Sequence, residues 1–227
     1  MNAKQNAGLK AAEYVKEGMI VGLGTGSTAD FAIRALGERV NNGLSIKTIP
    51  TSIASEKLAR SLDIPLTNFE DHPVIDLTID GADEVDPHLD LIKGLGGALL
   101  REKIVAACTV EQIIIIDASK QVNKLGTRTP LPIEVIPFSW CLVCNELTEH
   151  GLQPKLRKTK TGQIFDTDNG NYIIDCNFPV GITNPAETNN WINTLPGVIE
   201  NGLFVELTDL VIIGHEDGKC QLIKRQK

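Results

Sequence analysis

The segment 112–119, which reads QIIIIDAS, constrains the fold of this chain more than any other. Its four consecutive isoleucines are β-branched and favour an extended strand, and the apolar run is too short to form a helix. A strand without polar alternation is buried on both faces, as in parallel sheets that helices cover on either side. The segment therefore predicts a central strand of an α/β fold.

Helical and extended patterns alternate through the first half of the chain. Helices are predicted over 3–16, from Ser27 as N-cap to 40, from Ser52 or Ser55 to 62, and over 98–108. Strands are predicted over 19–23, 45–50, 73–80 and 89–93. Such β/α units build a Rossmann-like, largely parallel sheet with helices on both faces.

The pattern changes at 126–130, where glycine and proline appear without a strand signal. Beyond this point the order β-α-β-β-α-β predicts a smaller α+β domain of the ferredoxin-like type. The tail reads as a hairpin around Asp217 and Gly218 that returns to the first sheet. The predicted domains are a Rossmann-like catalytic domain, 1–127 plus 206–227, and a lid or oligomerisation domain, 128–205.

Charge and cysteine content narrow the class of protein. Lys and Arg number 22 against 29 Asp and Glu, and the net charge of −7 disfavours nucleic acid but still permits a small bound phosphate. Without an apolar leader or an 18-residue apolar run, we expect a protein that is neither exported nor inserted in a membrane. Five cysteines, an odd number, suit reduced thiols in a cytoplasm. The lone C-x-x-C of Cys141 and Cys144 favours a half-buried helix start over a zinc or redox site.

The segment 21–28, VGLGTGST, joins a strand to a helix through a glycine-rich turn. Free amides at the helix start, with the hydroxyls of Thr25, Ser27 and Thr28, make an anion site, although a tight capped turn has the same pattern. The glycine spacing differs from the G-x-G-x-x-G of dinucleotide-binding loops, and the second strand does not end in the acid that would bind a ribose. The segment also lacks the Gly-Lys-Ser/Thr of a P-loop. A phosphate or sugar phosphate therefore fits better than a dinucleotide.

The turn 80–86, DGADEVD, carries four acids at the carboxyl end of a predicted strand. Acids without an intervening base repel one another, so the cluster needs a partner. The spacing of the acids does not match the calcium-binding loop of an EF-hand, but it is compatible with a magnesium site. The plain structural alternative is an acidic turn exposed to solvent.

Two further strand ends carry Lys93 in KGLGG and Asp117 and Lys120 in DASK, and Glu102 opens the helix after KGLGG. Taken singly, Lys93 can be a surface lysine and Glu102 a helix-face charge. Since a doubly wound sheet brings its strand ends together, the four polar loops predict one ligand site.

These motifs, with TSIASEKLA, DNGNYIIDC and LPGVIENGLF, resemble the type A ribose-5-phosphate isomerases over nearly the whole chain. The resemblance implies interconversion of D-ribose 5-phosphate and D-ribulose 5-phosphate in the pentose phosphate pathway, without a cofactor or required metal, by a homodimer or tetramer. One departure is Leu95, where the family pattern has a third glycine.

The resemblance also implies roles for particular residues. Glu102 corresponds to the base that moves a proton between C2 and C1, while Asp80, Asp83 and Lys93 open the ring and hold O1 and O2. The implied substrate contacts, phosphate contacts included, are Thr25, Gly26, Ser27, Thr28, Gly81, Ala82, Gly94, Leu95, Gly96, Lys120 and Lys4.

The chemistry agrees with this assignment, because an enediolate needs one carboxylate base and one cation or donor set for the oxyanion. No histidine falls in the motifs, which argues against a histidine metal site. Two alternatives stay open: a sugar-phosphate sensor that needs no base, and a nicotinamide-dependent oxidoreductase, which the missing ribose-binding acid disfavours.

Overall fold

A computed structural model describes residues 2–226. The helices are α1 (Ala3–Ala12), α2 (Ala29–Asn41), α3 (Ile53–Ser61), α4 (Leu99–Ala107), α5 (Trp140–Glu149) and α6 (Pro185–Thr194). The strands are β1 (Ile20–Leu23), β2 (Lys47–Pro50), β3 (Ile75–Gly81), β4 (Glu84–Val85), β5 (Leu91–Ile92), β6 (Thr109–Asp117), β7 (Leu131–Val135), β8 (Gln153–Leu156), β9 (Tyr172–Asn177), β10 (Val198–Asn201), β11 (Leu203–Phe204), β12 (Leu210–Gly214) and β13 (Cys220–Lys224). None of the described helices is long and apolar enough to cross a bilayer.

The chain divides into two compact units. Unit 1 comprises Met1–Ala82, Arg101–Lys120 and Leu207–Lys227, and unit 2 comprises Asp83–Leu100 and Gln121–Glu206. The domain boundaries proposed from the sequence differ by placing 83–100, 121–127 and residue 206 with the first domain. In the structure β5 pairs with β11, and the amide of Val122 binds the carbonyl of Val85, so both segments belong to unit 2.

Unit 1 is built on a six-stranded sheet of order β13-β12-β6-β3-β1-β2. All neighbours are parallel except β12 and β13, which form the predicted returning hairpin. The isoleucine run lies in β6 between β3 and β12 and is no more than 1% exposed. The prediction of a central, fully buried parallel strand is confirmed.

Helices cover both faces of this sheet. Alanines and leucines of α1, α2 and α3 pack with Val21, Leu77 and Ile113 on one face. On the other face Val105 of α4 packs with Ile49 and Ile75. The predicted α/β class with helices on both faces is therefore confirmed.

Local capping decides where two of these helices begin. Ser52 is the N-cap of α3 and forms a capping box with Ser55, so both candidate serines take part in the cap. The prediction for α2 was wrong by one residue, because Thr28 is the N-cap and makes no side-chain capping bond. The hydroxyl of Ser27 accepts a hydrogen bond from Lys4 Nζ at 2.9 Å instead.

Unit 2 contains a four-stranded antiparallel sheet of order β10-β7-β9-β8. Helices α5 and α6 contribute Val143, Leu147 and Ile192 to the apolar core of this sheet. This order and packing confirm the predicted ferredoxin-like arrangement.

The prediction that 89–93 belongs to the parallel sheet is wrong. Strand β5 is two residues long and pairs antiparallel with β4 and β11 in a separate three-stranded sheet. The tight turn before it causes the reversal: Leu89 has φ 61°, and the Asp86 carboxylate accepts the amides of His88 and Asp90 at 2.9 Å each. Among the four predicted strand ends, those of β1, β3 and β6 therefore lie together on one edge of the unit 1 sheet.

Candidate functional site

The glycine-rich loop after β1 is held against Asp80 at the end of β3. Asp80 is fully buried, and its Oδ1 accepts the amides of Thr25 at 3.0 Å and Gly81 at 2.7 Å. A Cβ at Gly24 would lie 2.2 Å from Oδ1 and 2.5 Å from Cα of Asp80. Gly24 is therefore required because the loop backbone approaches Asp80 too closely for any side chain.

Thr25 belongs to the frame of this loop as well as to its proposed binding surface. Its hydroxyl lies 2.7 Å from those of Thr51 and Ser52, which follow β2. The hydroxyls tie the loop after β1 to the loop after β2. Sequence reasoning missed the contributions of Thr51 and Ser52 because it interpreted Ser52 only as a helix cap.

The start of α2 presents polar groups to solvent. Gly26 and Ser27 are exposed and Thr28 is half-buried, and Ser27 is bonded to Lys4 of α1. Gly26 has φ 105° with open space around it, so it is a site of left-handed backbone. This cluster joins one cation, two hydroxyls and a helix N-terminus, which together suit a phosphate group.

A cavity of about 510 Å³ lies beside this cluster in unit 1. Its lining residues are Asn2, Ala3, Lys4, Asp117, Ala118, Ser119, Gly214, His215 and Glu216. Lys120 follows directly, on the 3-10 turn Ala118–Lys120. Asp117, Ala118 and Ser119 of the DASK segment thus line one depression with Lys4, at the edge where β6 and β12 end.

Asp117 keeps its negative charge readily in this depression. Partial burial acts to raise the pKa of its carboxyl group, but hydrogen bonds from Ser119, together with Lys120 and Lys4, lower the pKa overall. Both the backbone amide and the hydroxyl of Ser119 donate to Asp117 Oδ1. The carboxylate thus balances part of the positive charge of the two lysines.

Backbone amides bind the acids of the DGADEVD turn. Besides Asp80, the three acids of this turn in unit 2 each accept hydrogen bonds from backbone amides. Asp83 accepts the amide of Leu95, and Asp86 accepts the amides of His88 and Asp90. Glu84 accepts three amides, those of Gly126, Arg128 and Thr129. Burial raises the pKa of Asp86 nonetheless. The alternative interpretation as a solvated acidic turn does not hold for Glu84, which is fully buried.

Glu102 lies in the first turn of α4 and is only 5% exposed. A carboxylate there benefits from the positive end of the helix dipole. A helix-face charge in solvent would be exposed, so the plain structural interpretation does not describe Glu102. A buried ionisable group is costly and marks a candidate functional residue.

Lys93 directly follows β5 in unit 2 and is 2% exposed. Its amide donates to the carbonyl of Gly202 at 2.9 Å, and its Nζ lies 5.4 Å from the centroid of the Phe204 ring. This distance suits a cation–π contact. Lys93 is therefore a buried cation, not the surface lysine of the alternative interpretation.

The loop after Lys93 takes a conformation that accommodates Leu95. Positive φ occurs at Gly94 (99°) and Gly97 (86°), whereas Leu95 and Gly96 do not need it. Leu95 is exposed, and its amide donates to Asp83 Oδ2 at 2.9 Å. The departure from a third glycine therefore adds no backbone strain.

Sequence reasoning missed Arg157, whose guanidinium group contacts the carbonyl oxygens of Gly94 and Leu95. No local pattern identifies this residue, because more than 60 positions separate it from the loop.

Metal binding and cysteine chemistry both depend on how the histidine, cysteine and acidic side chains are grouped in the structure. Within 2–226, no three or more His, Cys, Asp or Glu side chains are arranged to hold a metal ion. The five cysteines are free, with Cys141 exposed and Cys144 half-buried near the start of α5. This confirms the interpretation of C-x-x-C as a half-buried helix start.

Comparison with known proteins identifies the family. The family model of ribose 5-phosphate isomerase A (phosphoriboisomerase A) matches residues 47–218. Ribose-5-phosphate isomerase A of Bacillus mycoides is 51% identical over 96% of this chain and 98% of its own length. That of Listeria innocua is 45% identical over 99% of this chain and its full length.

Solved structures agree with the sequence matches. Ribose 5-phosphate isomerase from Plasmodium falciparum superposes with a TM-score of 0.95 at 40% identity, covering 99% of this chain and 98% of that one. A D-ribose-5-phosphate isomerase in complex with phospho-erythronic acid gives 0.95 at 41% identity, covering 99% of this chain and 100% of that one. This chain therefore belongs to the ribose-5-phosphate isomerase A family.

Proposed function

We propose that this protein interconverts D-ribose 5-phosphate and D-ribulose 5-phosphate, as an aldose–ketose isomerase of the pentose phosphate pathway. The observation that carries the proposal is the burial of Glu102 and Lys93, 5% and 2% exposed, in a chain of this family. Such groups supply the base and the cation that the reaction requires. A sugar-phosphate sensor would need no such base, and no observation favours it.

The proton transfer is assigned to Glu102. Its carboxylate removes the proton from C2 of the open-chain aldose, and the electron pair forms the C1–C2 double bond of an enediolate. The negative charge then lies on O1, where Lys93 and loop amides stabilise it. The ketose forms when Glu102 returns the proton to C1 and the O2 proton is transferred to O1, so that O2 becomes the carbonyl oxygen.

Ring opening and proton exchange between O1 and O2 are assigned to Asp80 and Asp83. Amide donors fix the orientation of both carboxylates. Gly81, Ala82, Gly94, Leu95 and Gly96 supply backbone around these acids. Because hydrogen bonds from amides order these carboxylates before substrate arrives, little reorganisation is needed during the reaction.

The phosphate end of the substrate is assigned to Thr25, Gly26, Ser27, Thr28 and the lysines Lys4 and Lys120. The bonded pair of Lys4 and Ser27 supports this assignment. A phosphate that replaces the Lys4–Ser27 bond gains a charge-assisted contact. Binding energy at this end can then hold the sugar in place for the chemistry.

The first test measures ketose formation from D-ribose 5-phosphate, in EDTA, by the unaltered protein and by Glu102→Gln. We expect the unaltered protein to turn over, and kcat of the variant to fall about 10²–10⁴-fold, since a general base contributes that much. The KM should change little, because the amide keeps the shape of the carboxylate. Absence of turnover in the unaltered protein, with the phosphosugar still bound, would contradict the proposal and support a sensor.

A second test uses phospho-erythronic acid, the ligand of the solved relative, as an inhibitor. Its carboxylate resembles the charge of an enediolate, so we expect competition with substrate and tighter binding than D-ribose 5-phosphate. Binding to Lys93→Met should weaken more for the acid than for the substrate. Equal weakening of both would remove Lys93 from the oxyanion role.

The remaining proposals rest on the family resemblance. We propose a homodimer, with a tetramer as the alternative outcome of light scattering, and a lid or oligomerisation role for the ferredoxin-like part. We also propose a cytoplasmic protein, which the five free cysteines support. We propose a reaction without a cofactor or required metal, and turnover unchanged by EDTA is its test.

A further inference from the structure

Arg157 follows β8 and binds the backbone of the loop that carries Lys93. Its Nη1 donates to the carbonyl oxygens of Gly94 at 3.0 Å and Leu95 at 3.1 Å. Both peptide groups thus share one cationic donor. The side chain is 11% exposed; its bond to Gly94 is partly buried, and its bond to Leu95 is open to solvent.

The guanidinium group is itself held in place by a second set of contacts. Nε donates to Asp175 Oδ2 at 2.8 Å, and Nη2 donates to Asp175 Oδ1, so the pair is bidentate. The Phe165 ring lies 5.7 Å from Cζ of Arg157. A planar group bound along one edge and near an aromatic ring has a fixed direction, which a lysine does not reproduce.

Asp83 binds the opposite side of the same backbone. In a trans peptide the C=O and N–H groups point in opposite directions. The Leu95 amide, which shares a peptide plane with the Gly94 carbonyl, donates to Asp83 Oδ2 at 2.9 Å. Arg157 and Asp83 therefore fix this plane from its two sides.

The next peptide plane carries the Leu95 carbonyl and the Gly96 amide. Because Arg157 binds that carbonyl, the Gly96 N–H points away from the guanidinium group. Gly96 is exposed and its Cβ position has open space, so side-chain packing does not order it. The positive charge at the carbonyl also polarises the peptide and makes the N–H a stronger donor.

We propose that Arg157 is a positioning residue of the isomerase: it binds the Gly94 and Leu95 carbonyls and thereby aims the Gly96 amide at the oxyanion of the enediolate. The inference rests on the proposed function. It assigns Arg157 no contact with substrate. The amide of Gly97 donates to the carbonyl of Gly94 and closes the turn, while Asp83 and Arg157 orient the peptide planes within it, since glycine favours no single backbone state.

The test compares Arg157→Met and Arg157→Lys with the unaltered protein and with Arg60→Met. Arg60 is a matched control, since Nε and Nη2 bind one carboxylate, Glu56, on an exposed helix face. We expect kcat of Arg157→Met to fall about 10–100-fold, somewhat less than the loss of one oxyanion donor. The KM should stay within about threefold, Arg157→Lys should recover part of kcat, and Arg60→Met should not differ from the unaltered protein.

Two readouts separate positioning from a merely structural role. With substrate deuterated at C2, the isotope effect on kcat should increase in Arg157→Met, because proton transfer becomes more fully rate-limiting. Hydrogen exchange of the Leu95 and Gly96 amides should accelerate in that variant and not in Arg60→Met. Should Arg157→Met fail to fold, Asp175→Asn, which keeps the arginine but loosens its direction, should show the same changes in smaller measure.

Unchanged kcat and isotope effect in a folded Arg157→Met protein would overturn the proposal. So would a loss of kcat that follows only the loss of folded protein and is matched by Arg60→Met. Absence of turnover in the unaltered protein would overturn the proposed function instead. In that case unchanged amide exchange in Arg157→Met would still refute the loop contact on which this inference depends.

Discussion

The two glycine-rich loops, 24–28 of unit 1 and 93–97 of unit 2, are ordered in different ways. In the first, the backbone packs directly on Asp80, and Gly24 leaves no room for a Cβ. In the second, Asp83 and Arg157 bind the backbone through hydrogen bonds, and Gly96 has open space around it. Close contact with Asp80 thus fixes the backbone at Gly24, whereas hydrogen bonds to Asp83 and Arg157 fix the peptide planes on either side of Leu95.

The difference teaches that glycine has two roles in this protein. Gly24 is needed because another group occupies the place of its side chain, and Gly94 because its backbone has φ 99°. A Cβ at Gly24 would overlap with a closely packed group, so the surrounding atoms would have to move. A residue other than glycine in left-handed backbone costs a limited amount of free energy and does not by itself displace a neighbour. Substitution at Gly24 should therefore displace Asp80 and lower activity, in addition to the cost in stability that substitutions in both loops share.

The largest effect in this comparison is expected for Gly24→Ala. Its Cβ would lie 2.2 Å from Oδ1 and 2.5 Å from Cα of Asp80, so either the loop or Asp80 must move. We expect the free energy of unfolding to fall by about 1–3 kcal/mol and kcat/KM to fall about 100-fold, as for a misplaced catalytic group. Urea unfolding and steady-state kinetics measure both.

Gly18→Ala is the control for this substitution. Gly18 has φ 79° and open space, and it lies outside the loop. It should lose about 1–2 kcal/mol of stability while kcat/KM stays unchanged. Equal losses of kcat/KM in both variants would show that lower stability, not contact with Asp80, explains the result.

The second effect compares Gly94→Ala with Gly96→Ala within one loop. At Gly94 the new Cβ combines φ 99° with a 2.7 Å approach to Leu99 Cβ, and we expect a loss of about 1–3 kcal/mol in unfolding free energy. At Gly96 there is neither strain nor contact, so the change should stay within about 0.5 kcal/mol. Similar losses at both positions would show that the loop is packed more tightly than its hydrogen bonds indicate.

A smaller effect is expected for Lys4→Met at the phosphate end of unit 1. Removal of one charged contact should raise KM for D-ribose 5-phosphate about 10–150-fold, because such a bond contributes about 1.5–3 kcal/mol. The kcat should be unchanged, since the contact is the same in ground and transition states. Lys10→Met is the control, because Lys10 lies on the same helix and pairs with exposed Glu13. A fall in kcat with constant KM would place Lys4 in the chemistry instead.

The smallest effects concern two acids whose pKa values shift in opposite directions, Asp117 in unit 1 and Asp86 in unit 2. The lowered pKa of Asp117 contributes stability above the ordinary value of 3.8, and this contribution is lost as pH falls through the folded-state pKa. Ser119→Ala removes one donor. We expect a loss of stability at pH 7 that begins to shrink as pH falls below 3.8 and disappears below the folded-state pKa.

Asp86→Asn should show the opposite sign. The raised pKa of Asp86 means that its charged form destabilises the fold above that pKa, and that the penalty vanishes below 3.8. The asparagine can still accept both amides without the charge. Urea unfolding as a function of pH should show a gain at pH 7 that shrinks towards acid, and a gain independent of pH would contradict the assignment.

The sequence predicted elements whose hydrophobic pattern is complete within one segment. The isoleucine run, the returning hairpin and the β-α-β-β-α-β order are of this kind, and the parallel and antiparallel sheets confirm them. Strand β5 failed because its two residues carry no pattern of their own. Its pairing depends on Phe204 and Leu203, more than 100 residues away.

The candidate site shows the same limit. Motifs identified Glu102, Lys93 and the acids of segment 80–86 as candidate site residues. Their burial and their amide partners could not be predicted, because both depend on segments that are distant in sequence. Arg157 stands in a plain polar stretch, and only the folded chain brings it to Gly94 and Leu95. Ser27 was assigned as a helix cap because local patterns could not show the bond from Lys4.

The place of β12 in the unit 1 sheet has a consequence for biosynthesis. Leu210–Gly214 pairs with Ile113–Asp117, so one edge of the isoleucine strand stays open until almost the whole chain has been translated. At about 5–20 residues per second the ribosome needs roughly 5–20 seconds to make the intervening segment. During this time an apolar, β-branched edge lacks its native partner and is open to pairing with other nascent chains, so we expect chaperone binding to the nascent chain to protect it.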